Sequence, residues 1–315
     1  MATSLQWKKP ILLAVCGALA FGMMSRWDTI QAQAPQVIAK LTDAVGISSS
    51  SIGSLEGEAA VLMNEQTGEV LYGKNEHERL YPASTTKLLT ALIALEQADP
   101  DAWITVGEEA RLRTAGESSA GLQEGDKLQL RDLIAAMLLP SGNDAARTVA
   151  RYIAQQEEGR GLTPEESIEV FAQLMNERAK ALGATESHFV NPHGLHDPNH
   201  YTTASDLALI ARKARQNLLL CQLVGESEYM ASDSGVEQTF VNRNKLLQPG
   251  SGYYFDGANG MKTGYTSEAG YCLVASAKRS GTGYIAIVLK SSSEGVWLDA
   301  AKLLDYGFKR SHLAR

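Results

Sequence analysis

Three short motifs hold the residue types needed for acyl transfer through a covalent serine. They are Ser84-Thr85-Thr86-Lys87, Ser141-Gly142-Asn143 and Lys262-Thr263-Gly264. A serine hydroxyl is a weak nucleophile near neutral pH, so a base must take its proton. Lys87 stands three residues after Ser84, a spacing that puts both side chains on one face of a helix. The amine can act as that base only when neutral, and burial or a second nearby cation lowers a lysine pKa. Lys262 is the candidate for the second cation.

Each motif also has a plain structural reading. Ser84 can cap a helix with Lys87 in solvent, Ser-Gly-Asn can be a turn with an asparagine cap, and Lys-Thr-Gly can be an edge strand. The functional reading gives all three a shared task. Ser141 stands beside Lys87 and passes a proton to the leaving amine, while Asn143 holds the substrate's amide. The strand with Lys262 and Thr263 pairs with an extended peptide and meets a terminal carboxylate. Gly264 lets the backbone approach the substrate closely. The amides of Ser84 and Tyr265 form the oxyanion hole.

The elements that must position these residues follow from hydrophobic spacing. The runs 59–63 and 70–72 flank Glu65-Gln66-Thr67-Gly68 and predict a β-hairpin. Pro82 and Ser84 mark a helix start, with Leu88, Leu92 and Leu95 on one stripe widened by Leu89 and Ile93. That helix is apolar enough to be central. From about 104 to 215 the pattern is mainly helical, with helices expected at 130–139, 144–154, from Thr163-Pro164 and at 203–214. Strands return at 271–277 and 284–289 around a second hairpin, and 297–308 reads as a closing amphipathic helix. Strands at both ends with helices between predict an α+β fold. Its sheet joins the two ends of the body and carries an inserted helical subdomain.

The motifs extend into longer blocks. Pro82-Ala83 precedes Ser84, Leu138-Leu139-Pro140 precedes Ser141, and Asp144-Ala145-Ala146 follows Asn143. Asn191-Pro192-His193-Gly194-Leu195 and Gly260-Met261-Lys262-Thr263-Gly264-Tyr265-Thr266 complete the set. Together, from about 57 to 310, the chain resembles the penicillin-binding serine enzymes, and more narrowly the low-molecular-mass D-alanyl-D-alanine carboxypeptidases. The resemblance implies an antiparallel sheet flanked by helices, as in β-lactamases and transpeptidases. It also implies removal of the terminal D-alanine from peptidoglycan stem pentapeptides and acylation by penicillin and other β-lactams. Ser84, Lys87 and Ser141 are then the catalytic residues, and Asn143, Lys262, Thr263, Gly264 and Tyr265 bind substrate. No cofactor is expected.

Two departures from the family pattern stand out. Many relatives carry a C-terminal β-rich domain and an amphipathic membrane helix, and this chain ends before either, so any membrane tether is expected at the N-terminus. Some relatives place an arginine near the start of the closing helix to help bind the substrate carboxylate. Val296 occupies that place here, which throws more of the carboxylate's binding onto Lys262 and Thr263.

Composition bounds the rest. The chain has 315 residues, 44% of them apolar, and a net charge of -7. The first 34 residues contribute +2 through Lys8, Lys9 and Arg26 against Asp28, which leaves -9 on the body. An acidic body argues against nucleic acid and against broad attraction to anionic lipid. Lys8 and Lys9 precede a mostly apolar run of 14 residues, Ile11 to Met24, with small residues around Ala32-Gln33-Ala34. Residues 1–34 therefore read as an export signal or an uncleaved anchor, and 35–56 as a linker to a catalytic domain at 57–315. The site of action is expected outside the cytoplasm, at the membrane face, cell wall or periplasm. Cys221 and Cys272 form no zinc or redox pattern.

Other signals are weaker. His193, His196 and His200, with His188 and Asp197, lie in a turn-rich loop without HExxH spacing and are read as loop hydrogen-bonding residues, not metal ligands. Gly116-Glu117-Ser118-Ser119 has the wrong glycine spacing for a nucleophile elbow. Glu165, Glu166 and Glu169 read as helix-start acids. A β-lactamase of class A needs a glutamate in an E-x-x-L-N setting, absent between Asn143 and Lys262. Endopeptidase cleavage of cross-linked D,D-bonds uses the same chemistry as the carboxypeptidase. A cell-wall-binding module with a retired site would not need every motif residue intact.

Overall fold

The computed structural model describes residues 52–231 and 238–313. The expected export segment at 1–34 and linker residues 35–51 lie outside the described residues. The last linker residues already pack, since Leu55 is buried and Lys74 donates to its carbonyl at 2.8 Å.

The first strands, β1 (Ala59–Asn64) and β2 (Val70–Lys74), pair antiparallel as the hairpin pattern predicts. A 3-10 turn, Ala83–Thr86, then feeds α1 (Lys87–Gln97). Helix α1 is buried over most of its circumference, as its apolar composition requires.

The helical region departs from expectation in detail. It includes two short strands, β3 (Trp103–Thr105) and β4 (Lys127–Gln129), paired in a ribbon of their own. Helix α2 (Leu130–Leu138) stops short of Pro140, and α3 (Asn143–Glu158) starts within the Ser-Gly-Asn motif. Helix α4 (Pro164–Ala181) opens on a reciprocal cap, in which Thr163 accepts from the Glu166 amide while the Glu166 carboxylate accepts from the Thr163 amide. Helix α5 (Ala204–Ala214) is capped by Thr203, and α6 (Leu218–Gly225), not foreseen from the spacing, is capped by Asn217.

After a second ribbon of β5 (Glu228–Ala231) and β6 (Gln238–Val241), the chain returns to the main sheet through β7 (Ala258–Thr266), β8 (Gly270–Arg279) and β9 (Thr282–Ser291). It closes with α7 (Gly295–Leu313). The main sheet is antiparallel with order β2-β1-β9-β8-β7, so β1 pairs with β9 and joins the two ends of the body.

Alternation along the strands splits the core in two. Ala59, Val61, Ile285 and Ile287 face the helical side, while Ala60, Leu62, Ala286 and Val288 face α7. Helices therefore cover both faces of the sheet, and β7 is left at one edge. Among the described residues no helix is long and apolar enough to cross a membrane.

Candidate active site

Ser84 sits on the 3-10 turn that leads into α1, beside the edge strand β7. Ala83 before it is held at φ 47° and Ser141 at φ 69°, conformations that side chains other than glycine seldom adopt. Both therefore carry local strain that the surrounding packing must hold. Three elements brace the turn. Thr85 and Thr86 hydroxyls donate to the Pro82 and Ala83 carbonyls, at 2.7 and 2.8 Å. The Asn191–Gly194 loop packs so tightly that a side chain at Gly194 would overlap the Ala83 carbonyl. A side chain at Gly264 would lie 3.0 Å from both the Ser84 nitrogen and the Pro82 oxygen. Gly264 thus admits the nucleophile turn itself, where the sequence reading had it admitting the substrate. The same closeness brings β7 to the Ser84 amide.

Lys87 is fully buried, and its Nζ lies 2.9 Å from Ser84 Oγ, 2.6 Å from Asn143 Oδ1 and 2.8 Å from the His193 carbonyl oxygen. Burial pushes its pKa well below the usual lysine value, and Lys262, Arg147 and Arg243 push in the same direction against Glu117. A neutral amine has two N–H bonds and one lone pair. Asn143 Oδ1 and the His193 carbonyl can only accept, so the two N–H bonds go to them. The lone pair is left facing Ser84, whose hydroxyl donates to it. That is the arrangement a general base requires.

The orientation of Asn143 is fixed from behind. Its Nδ2 donates to Glu117 Oε2 at 3.3 Å, which turns Oδ1 toward Lys87. Glu117 is in turn clamped by Arg147 through two hydrogen bonds of 2.8 and 2.6 Å, in a pair whose side chains are 3% and 4% exposed. Asn143, expected to hold the substrate amide, is thus buried and spends its side chain at least partly on Lys87 and Glu117. Sequence reasoning missed Glu117 and Arg147, because the only signal was a dismissed glycine motif. Asp144 is buried beside them and accepts from the amides of Ala120, Gly121 and Leu122, tying the segment after Glu117 to α3.

Lys262 is also buried, with Nζ donating to the Thr263 carbonyl at 3.0 Å. Burial, and Arg243 second, lower its pKa to about 7. Ser84, Ser141, Asn143, Thr263, Gly264 and Tyr265 all line one cavity of about 860 Å³. Tyr265 packs on Tyr271 with ring centroids 4.5 Å apart. Lys87 and Lys262 lie beneath the lining. The structure therefore brings together every site residue named from the sequence, though the hydrogen bonds of Lys87 run to Asn143 and His193 instead of Ser141.

The histidine loop does structural work. His200 accepts from the Val190 amide through Nδ1 at 3.1 Å, so its Nε2–H donates to Thr86 Oγ1 at 2.8 Å. Burial lowers its pKa to about 3 and that of His193 well below the usual range. Among the described residues no cluster of histidine, cysteine and carboxylate side chains is arranged to hold a metal. Cys221 and Cys272 are both free, and burial pushes the Cys272 thiol up to about 12.

Comparison with known proteins adds a lineage. Residues 46–293 match the peptidase S11 family, described as D-alanyl-D-alanine carboxypeptidase. The chain is 33% identical over 261 residues to the D-alanyl-D-alanine carboxypeptidase DacF of Bacillus subtilis, covering 81% of this chain and 63% of that protein. It is 34% identical over 278 residues to the D-alanyl-D-alanine carboxypeptidase of Streptomyces sp. strain K15, covering 85% of this chain and 91% of that one. The crystal structure of the Streptomyces K15 DD-transpeptidase superposes with a TM-score of 0.74 at 33% identity, over 81% of this chain and 98% of that chain. The D-alanyl-D-alanine carboxypeptidase DacD of Francisella tularensis gives a TM-score of 0.71 at 32% identity, over 82% and 71% of the two chains. The antiparallel sheet with its flanking helices is thus the transpeptidase-like fold expected from the sequence.

Proposed function

Because the chain belongs to the D-alanyl-D-alanine carboxypeptidase family of serine peptidases, we propose that it removes the terminal D-alanine from peptidoglycan stem pentapeptides through an acyl-enzyme on Ser84. One observation carries this reading above the others: Nζ of the fully buried Lys87 lies 2.9 Å from Ser84 Oγ, in a setting where burial and neighbouring cations favour the neutral amine.

Ser84 Oγ attacks the carbonyl between the last two D-alanines as its proton moves to Lys87 Nζ. The amides of Ser84 and Tyr265 receive the negative charge that develops on the carbonyl oxygen. Ser141 relays the proton from Lys87 to the departing amine, which leaves as D-alanine. Water, deprotonated by the same lysine, then releases the shortened peptide. Strand β7 offers its free edge to the extended substrate, and Thr263 and Lys262 meet the terminal carboxylate. A β-lactam presents a strained amide to the same serine and forms a longer-lived acyl-enzyme.

Residues 57–315 act as the catalytic domain in this reading, with 35–56 a linker and 1–34 an export signal or N-terminal membrane tether. The substrate places the work outside the cytoplasm. Incubating the purified protein with a stem pentapeptide should yield, by mass, a product shorter by one alanine, and penicillin in a parallel sample should block that loss. An unchanged pentapeptide would overturn the assignment. Fast catalytic turnover of penicillin would favour a β-lactamase, whereas slow release supports the carboxypeptidase.

A further inference from the structure

Strand β7 gives a bound peptide a direction as well as an edge. In the proposed chemistry the scissile carbonyl meets the Tyr265 amide and the terminal carboxylate meets Lys262 and Thr263. A peptide laid that way runs antiparallel to β7, its C-terminus toward Lys262. The residues before the scissile bond must then continue past Thr266 to the turn Ser267-Glu268-Ala269, which joins β7 to β8. In a stem pentapeptide the residue that arrives there is the third, because the last two are the D-alanines.

That turn presents Glu268. Ala269 after it is buried, and its amide donates to Thr266 Oγ1 at 3.0 Å. Gly270 follows at φ 64°, a conformation that favours glycine. Glu268 itself is exposed and lines the Ser84 cavity. No ion pair engages its carboxylate among the described residues. The cavity's other carboxylate, Glu117, is already clamped by Arg147. Charge therefore changes sign along the substrate's path, from Lys262 on one side of Tyr265 to Glu268 on the other. Glu268 also lines a second cavity of about 320 Å³, so the two adjoin at this side chain. The cations of that second cavity are engaged elsewhere: Lys290 pairs with Glu58 at 2.7 Å, and Arg79 lies 4.8 Å over the Tyr201 ring. Leu80 and Tyr201 give it apolar surface, which suits the hydrocarbon stem of a long side chain with a charged tip.

We infer that Glu268 is a specificity-determining residue that binds a free side-chain amine on the third residue of the stem peptide. The inference rests on the carboxypeptidase reading above and narrows its substrate class to stems whose third residue carries an uncapped amine. An ammonium group there finds a carboxylate with no competing cation, and its stem lies against the second cavity. A capped, neutral amine loses the charge-assisted hydrogen bond and keeps the rest of the pairing along β7. Glu268 touches none of the reacting atoms, so its contribution is to binding. Because the carboxylate is exposed, that contribution is modest and screened by salt.

The test compares two stem pentapeptides with lysine at the third position, one with a free side-chain amine and one with that amine acetylated. The unsubstituted protein should prefer the free amine in kcat/KM by about 3- to 5-fold, mostly through KM, and rising salt should erode the preference. Glu268→Gln keeps the shape without the charge and should abolish the preference. Glu268→Lys should invert it, because two ammonium groups then meet. The salt series needs no variant, so the inference stays open to refutation even if a substitution disturbs folding. Equal turnover of the two peptides by the unsubstituted protein would overturn the inference. A preference that survives in Glu268→Gln would do the same, as would an equal loss toward both peptides, which would assign Glu268 to holding the β7–β8 turn. Failure of the unsubstituted protein to release D-alanine from either peptide would instead overturn the carboxypeptidase reading itself.

Discussion

At the scale of single residues, the proton inventory of Lys87 decides what the site can do. A lysine that remained charged would fill all three contacts with N–H donors and leave Ser84 without a base. Lys87→Arg keeps a cation but cannot lose its proton, so penicillin acylation should slow by roughly 100- to 10,000-fold. Stopped-flow labelling near the unsubstituted rate would contradict the base assignment. Lys262 brings a second titration. Its ammonium is present below a pKa of about 7 and lost above it. Binding of a carboxylate should therefore weaken as pH rises through 7, giving kcat/KM an alkaline limb there. Lys262→Arg, charged throughout, should remove that limb, and a limb left in place would exclude Lys262 as its origin. The motif residues were legible in the sequence because each motif is contiguous and chemically distinctive. Glu117, Arg147 and Arg243 were not, since their partners lie 26, 30 and 125 residues away and no local pattern announces them.

At the scale of elements, the site depends on segments held against one another more than on any single helix. Asp144, at the start of α3, accepts from the amides of Ala120, Gly121, Leu122 and Ala145 and from the Ser119 hydroxyl. Asp144→Ala would leave several buried donors unsatisfied and should cost at least about 3 kcal/mol in denaturant unfolding. It should also slow acylation, because the same segment carries Glu117, and unchanged stability would remove this anchor from the description. Glu117→Gln should cost about 3–5 kcal/mol by leaving Arg147 buried without its charge partner. Hairpins, the apolar α1 and the capped α4 were readable from periodicity and caps. Strands β3 and β4 have only three residues each, too few for a period to register. Helix α6 was hidden because its run, Leu218-Leu219-Leu220-Cys221-Gln222-Leu223-Val224, is too uniformly apolar for a helical stripe to show.

At the scale of the whole molecule, the pairing of β1 with β9 closes the sheet and puts β7 at its edge against the nucleophile turn. The return of strands near the chain's end implied that closure, whereas the strand order itself needed tertiary contacts. Folding also buries neutral histidine. His200 titrates at about 3 when folded and near 6.5 when unfolded. Below 6.5 the unfolded chain takes up the proton first. Stability from this residue is thus fully present above pH 6.5 and is lost as pH falls toward 3, by up to about 1.4 kcal/mol per pH unit. Unfolding measured at pH 7 and pH 4.5 should show a smaller pH dependence in His200→Gln than in the unsubstituted protein, and an identical dependence would contradict a neutral buried imidazole. The most direct test is chemical: react the folded protein with penicillin, digest it and locate the adduct by mass. The adduct should lie on the peptide containing Ser84 and vanish in a Ser84→Ala variant with unchanged melting. An adduct that survives in that variant, or maps to another residue, would contradict acyl transfer through Ser84.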